Sequence, residues 1–162
     1  MNLLRVLIVS FITVPALISN SYAINNNTET LIIDAISSEH RTKENKARDA
    51  YRNPNKTLLF FGIQKNIKVL EILPGRGWYT EILAPILKDN GQLTVASFGD
   101  KHPNDYLRDV HLKYIKHLNK NPMVYGNVRH IVFNKENHYL KEINPNSQDM
   151  VLTFRNTHNW IK

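Results

Sequence analysis

Apolar residues recur along this chain in two rhythms. Residues 67–73 (IKVLEIL), 93–98 (LTVASF), 128–133 (VRHIVF) and 149–154 (DMVLTF) are short, β-compatible runs and predict four strands. The first, interrupted only by Lys68 and Glu71, has the near-continuous apolar character of a strand covered on both faces. Between the strands the spacing changes to that of helices. Trp78, Ile82, Leu83, Ile86 and Leu87 share one side of a helix over 78–87, and Leu107, Val110, Tyr114 and Leu118 share one side over 103–119. Asp89-Asn90-Gly91 ends the first of these, and Pro85 predicts a bend because it has no N–H to return toward Glu81. Upstream, residues 31–36 predict a helix capped near Thr28, and residues 56–61 a short helix stopped by Gly62. The charge-dense stretch 39–52 reads as a solvated helical face that ends at Asn53-Pro54. Strands alternating with helices predict βαβ units, hence an α/β fold with a parallel sheet and helices on both faces. Ligands on such sheets sit at the carboxyl ends of the strands.

Length and composition fit one globular domain: 162 residues, 42% hydrophobic and 22% charged. The formal charge of +7 is scattered, which favours solubility and a general attraction for anions. Lys113-Tyr114-Ile115-Lys116-His117 mixes basic and aromatic residues, but an amphipathic helix accounts for it and no nucleic-acid partner is expected. Arg5, the apolar run over 6–18 and Ser21-Tyr22-Ala23 have the charged, apolar and small-residue order of a secretory leader cut after Ala23. The expected organisation is therefore a leader over 1–23, a helical segment over 24–62 and an α/β domain over 63–162, exported to the periplasm and not held in the membrane.

The absence of cysteine excludes disulfides and thiol catalysis. No Gly-x-Ser-x-Gly elbow or Walker loop is present, and His111 and His117, six apart with no acidic cluster beside them, do not make a zinc site, so no metal is expected. The chemistry that remains lies in VLEILPGRGWYTEILAP, residues 69–85. Gly75 and Gly77 let backbone N–H groups approach a ligand and let the turn take positive φ, and the helix that follows presents unpaired donors. By spacing alone the stretch is either a ligand cradle or a plain strand-turn-helix corner.

Taken with RDAYRNP, FFGI and LTFRNTHNW, the stretch EILPGRGWYTEILAP resembles a family of exported bacterial proteins classed as predicted methyltransferases, from about Arg48 to the C-terminus. That resemblance implies a Rossmann-like, class I methyltransferase fold and S-adenosylmethionine as cofactor, its methyl group passing to an acceptor the sequence does not identify. It implies that Glu71, Pro74, Gly75 and Gly77 hold the cofactor, and that the segment after the fourth strand lines the acceptor side. Two positions depart from the class I pattern. Leu73 stands at the first glycine of the acidic-x-Gly-x-Gly-x-Gly motif, and the end of the second strand offers Ser97, with Asp100 a little later, where an acid would hold the ribose. About four strands precede Lys162 where the family's sheet has seven, which implies a truncated member or a sheet completed by a second chain.

On the acceptor side Tyr79 and Arg155 are substrate candidates, and His158 and Asn156 catalytic ones, with the histidine as general base. Three of these have a structural alternative: Asn156, with Asn159, as a helix cap, His158 packed at a helix start, and Arg155 in a salt bridge. Valine at Gly75 or Gly77 is expected to remove cofactor binding and leave the chain folded. Because the cofactor is made in the cytoplasm, the alternative function is an inactive exported binding module or a non-functional fragment.

Overall fold

The computed structural model describes residues 18–134, 139–156 and 158. The expected leader falls mostly on residues 1–17, outside those described, as do Thr157 and 159–162 of the final motif. Four strands form one sheet: β1 (Lys68–Ile72), β2 (Gln92–Ser97), β3 (Arg129–Val132) and β4 (Met150–Thr153). Each end lies within one residue of the bound read from the sequence. The order is β3-β2-β1-β4 and every neighbouring pair is parallel. The chain thus moves outward from β1 through β2 to β3, then returns across the sheet to place β4 on the other side of β1. That reversal opens a crevice between the carboxyl ends of β1 and β4.

The helices are α1 (Ile18–Ser37), α2 (Lys43–Lys46), α3 (Asp49–Arg52), α4 (Pro54–Phe60), α5 (Thr80–Leu87), α6 (Asp105–Asn119) and α7 (Pro122–Tyr125). Strand alternation sends Val69, Val95 and Leu152 into one face, where Ile82, Leu83 and Leu87 of α5, Ile32 of α1, Leu58 of α4 and Tyr114 of α6 meet them. Each such side chain contributes about 1.5–3 kcal/mol on full burial, so this face carries most of the stability. The other face holds a smaller cluster, Leu70, Ile72, Ala96 and Ile131, covered by Phe133, Leu140 and Ile143. Among the described residues, the helices that join the core therefore do so on one face, not on both. Two right-handed crossovers running in the same direction place α5 and α6 on the same side, and the return from β3 to β4 crosses the other side with no helix among its described residues.

The charge-dense stretch departs from its sequence reading in a way that matters for the site. It folds as two single turns, α2 and α3, and buries two polar side chains, with Arg41 3% and Asn45 8% exposed. Thr42 caps α2, its hydroxyl accepting from the Asn45 N–H at 3.2 Å. Arg41 is held by Asp49 at 2.6 Å and by Glu81 of α5 at 3.5 Å. Gly62 does stop α4: at φ 70 it donates to the Leu59 carbonyl while Ile63 donates to Leu58, the paired closure of a Schellman turn. Pro85 leaves the Glu81 carbonyl without its helical donor, and the His40 Nε2 takes that place at 2.7 Å. These contacts fasten the N-terminal segment to the first helix of the sheet domain.

Candidate functional site

β1 runs into a turn in which every second residue is left-handed: Leu73 at φ 53, Gly75 at φ 62 and Gly77 at φ 83. Leucine in this region costs about 1–2 kcal/mol. Leu73 nevertheless keeps the backbone that a glycine would take, its N–H donating to the Ala96 carbonyl at 2.8 Å and its side chain packing against the Leu70 cluster. The departure from the glycine pattern therefore leaves the shape of the turn unchanged.

The two glycines serve different ends. A Cβ on Gly75 would meet nothing within 4 Å, because the residue faces open space. A Cβ on Gly77 would lie 2.7 Å from the buried Tyr114 ring. Gly77 is therefore needed for packing as well as for the turn, and the expectation that valine there leaves the chain folded is corrected: it would strike α6.

The turn forms one wall of a cavity of about 480 Å³ in the β1/β4 crevice, within the range of small-ligand clefts. Leu73, Pro74, Gly75 and Arg76 line it from the turn, and Phe154, Arg155 and Asn156 from the segment after β4. Glu71 lies at its inner end, 1% exposed. The carboxylate accepts from the Thr80 hydroxyl at 2.7 Å, and Thr80 in turn accepts from the Tyr114 phenol at 3.1 Å. Among the described residues no cation is paired with it. Burial, only partly offset by the Thr80 bond, pushes its pKa up to about 7.

The structure brings most of the sequence-derived site residues together here: Glu71, Pro74, Gly75, Tyr79, Arg155 and Asn156 all line the cavity. Tyr79 stacks on Phe154 with ring centres 3.5 Å apart and planes 15° from parallel, which joins the two strand exits. Burial pushes its phenol pKa up, against a hydrogen bond from Thr57. Asn156 turns its amide N–H groups to the Leu73 carbonyl at 3.2 Å and the Thr153 hydroxyl at 3.0 Å, tying β4 to the glycine turn. His158 is exposed and is not among the lining residues. Asp100 is exposed and also stands away from the cavity, where its charge acts on His111. Ser97, at the end of β2, has its hydroxyl within 2.6 Å of His130 Nε2 and 3.2 Å of His111 Nδ1. Burial lowers both imidazoles, His130 to about 4, so the group is neutral.

Sequence reasoning missed three arginines and an aromatic wall. Arg48 and Arg52 line the cavity from the N-terminal segment, and Arg76 and the core residue Trp78 line it from the turn after β1. Arg52 rests over the Trp78 ring, 4.7 Å from its centre, and the Trp78 N–H donates to the Asn45 carbonyl at 2.8 Å. The four-residue spacing of Arg48 and Arg52 was the available signal, since it puts both on one side of a helical turn.

No family model and no curated protein matches the chain. Among solved structures it is similar to a cyclopropane-fatty-acyl-phospholipid synthase-like protein from Lactobacillus casei, at a TM-score of 0.50 and 15% identity over 80% of this chain and 46% of that one. It is also similar to a protein-L-isoaspartate O-methyltransferase, at a TM-score of 0.46 and 16% identity over 61% of this chain and 27% of that one. The chain spans less than half the length of either. At such identities the likeness is one of fold: this is a Rossmann-like α/β chain with a four-stranded parallel sheet.

Proposed function

We propose that the β1/β4 cleft binds S-adenosylmethionine and that the chain is a methyltransferase, with a small acceptor in the same cleft. The observation that carries this reading is the turn after β1. Three alternating left-handed residues open it onto a 480 Å³ cavity at the point where strand order reverses, with an unpaired, buried carboxylate at the inner end. The cofactor supplies an electrophilic methyl group.

The residues present fit its amino-acid half. Glu71 is an acceptor for an ammonium, and the backbone at Gly75 has free space on the side where a side chain would otherwise stand. Pro74 and Gly77 hold that backbone in place, the Gly77 N–H closing on the Pro74 carbonyl at 3.0 Å. Asn156 fixes the far wall by its bond to Leu73. Tyr79 and Phe154, stacked on each other, form one side of the cleft. Among the described residues the ribose half has no acid of this kind in reach: Asp100 stands away, and Ser97 is engaged with two neutral histidines. With the acceptor placed and water displaced, orientation supplies most of the acceleration.

A second reading, a module that binds the ligand without transferring a methyl group, is favoured by the exposure of His158 and by the engagement of the Asn156 amide with backbone. Thermal unfolding of the full chain with and without excess S-adenosylhomocysteine tests the shared claim. A midpoint that rises with ligand is expected, as linkage requires of anything that binds only the folded state, and a midpoint that ignores the ligand removes both readings. Transfer of labelled methyl groups to cell extract then separates enzyme from module. Export belongs to the proposal as well: protein recovered from cells should begin at Ile24, and a retained Met1 would refute it.

A further inference from the structure

The cleft carries a charge pattern that the cofactor does not account for. Four arginines line it, Arg48, Arg52, Arg76 and Arg155, and Glu71 is the single acid among the lining residues. They come from three separate parts of the chain: α3 and the residue before it, the glycine turn, and the exit of β4. Among the described residues none of the four is in an ion pair, whereas Arg41, Arg108 and Lys113 each hold an aspartate. Two of them act on a third. Burial first, then the charges of Arg48 and Arg155, lower the pKa of Arg52, which is fixed over the Trp78 ring. Like charges brought together in a partly buried cleft repel, and the repulsion is relieved when an anion enters.

S-adenosylmethionine bears one carboxylate, an ammonium and a sulfonium, and so is a net cation. Its carboxylate can take one guanidinium fork, and the rest of the molecule adds to the positive field. On the reading given above, the remaining arginines are left for the other ligand. We infer that the acceptor is a small oxyanion-bearing molecule with at least two negative charges, carboxylate or phosphate, held by Arg48, Arg52 and Arg155. A planar guanidinium takes either group by two parallel N–H···O bonds, so the geometry selects for that shared chemistry.

Calorimetry on the full chain, titrated with pyrophosphate and separately with citrate in the presence of saturating S-adenosylhomocysteine, tests this. At least one anion is expected to bind, more weakly as salt is raised, and the stronger of the two names the group. Arg52→Gln and Arg155→Gln should each weaken it by about tenfold or more, the loss of a charged hydrogen-bonded pair. Arg108→Gln, which breaks an exposed pair with Asp105, should leave it unchanged. Unfolding midpoints equal to the parent's would show that the arginine variants are folded. If S-adenosylhomocysteine binds and neither anion does, or if it displaces them, the arginines serve only the cofactor, and the inference falls while the function stands. If the anions bind and S-adenosylhomocysteine does not, the acceptor role is overturned together with the methyltransferase reading.

Discussion

Two glutamates ten residues apart, Glu71 on β1 and Glu81 on α5, are equally buried and oppositely equipped. Glu81 is 0% exposed and lies between Arg41 at 3.5 Å and His117 at 3.1 Å. Its own backbone carbonyl is taken by His40, so the residue binds three elements of the N-terminal and helical layers together. Glu71 is 1% exposed, holds among the described residues only the hydroxyl of Thr80, and lines a cavity. The first has a cation beside it, as a buried charge that serves structure needs. The second is kept uncompensated, and its pKa of about 7 shows the cost of that. A buried acid left without a cation beside an open cleft is what the proposed ligand role of Glu71 requires.

The largest test of this contrast is Glu81→Ala. It removes one of the two carboxylates beside the buried Arg41 guanidinium, Asp49 remaining, and leaves a cavity, and should lower stability by about 3 kcal/mol in urea unfolding. Glu71→Gln should act in the opposite direction and depend on pH. The folded value lies above the ordinary one of 4.5, so the folded chain keeps a proton that the unfolded chain has lost, and stability falls as pH rises from about 4.5 to about 7. Glutamine retains the acceptor for Thr80 and cannot ionise. Above pH 8 the variant is expected to be more stable than the parent by about 3 kcal/mol, and below pH 4.5 to match it. Equal stability across that range would mean that Glu71 has a cation after all.

The glycines sharpen the same contrast on a smaller scale. Gly77→Ala meets Tyr114, whose phenol holds Thr80, and should cost about 2 kcal/mol. Gly75→Ala adds a methyl group to open space and should cost only about 1 kcal/mol, for its left-handed backbone. Bulk at Gly75 is nevertheless expected to reduce ligand affinity, since the methyl group points where the ligand would lie. If the two substitutions prove equally destabilising, the distinction between a packed and an open side of the turn is wrong.

The strands and the turn were legible because they depend on local information. Runs such as VLEIL and LTVAS bury both faces, and Gly75 and Gly77 announce a left-handed turn. What the sequence concealed depends on pairings across the chain. Arg41 sits in a run of charges that reads as solvated, and its burial follows from Glu81, forty positions away. Arg48 and Arg52 face a cleft only because the N-terminal segment docks on α5 and Trp78. Asp100 was the nearest acid to the end of β2, but Ser97 occupies that end and is satisfied by histidines of α6 and β3. Phe154 reads as the last residue of a strand, and its stack with Tyr79 requires that β4 lie beside β1.

The measurement that bears most directly on the central claim is calorimetry of S-adenosylhomocysteine binding at about pH 6, below the value at which Glu71 titrates, in buffers of different ionisation enthalpy. If the ligand's ammonium meets Glu71, binding ionises the carboxyl and should release close to one proton, and Glu71→Gln should bind more weakly and release none. Binding with no proton release in either protein would place the ligand elsewhere, and no binding at all would contradict the assignment of the cleft.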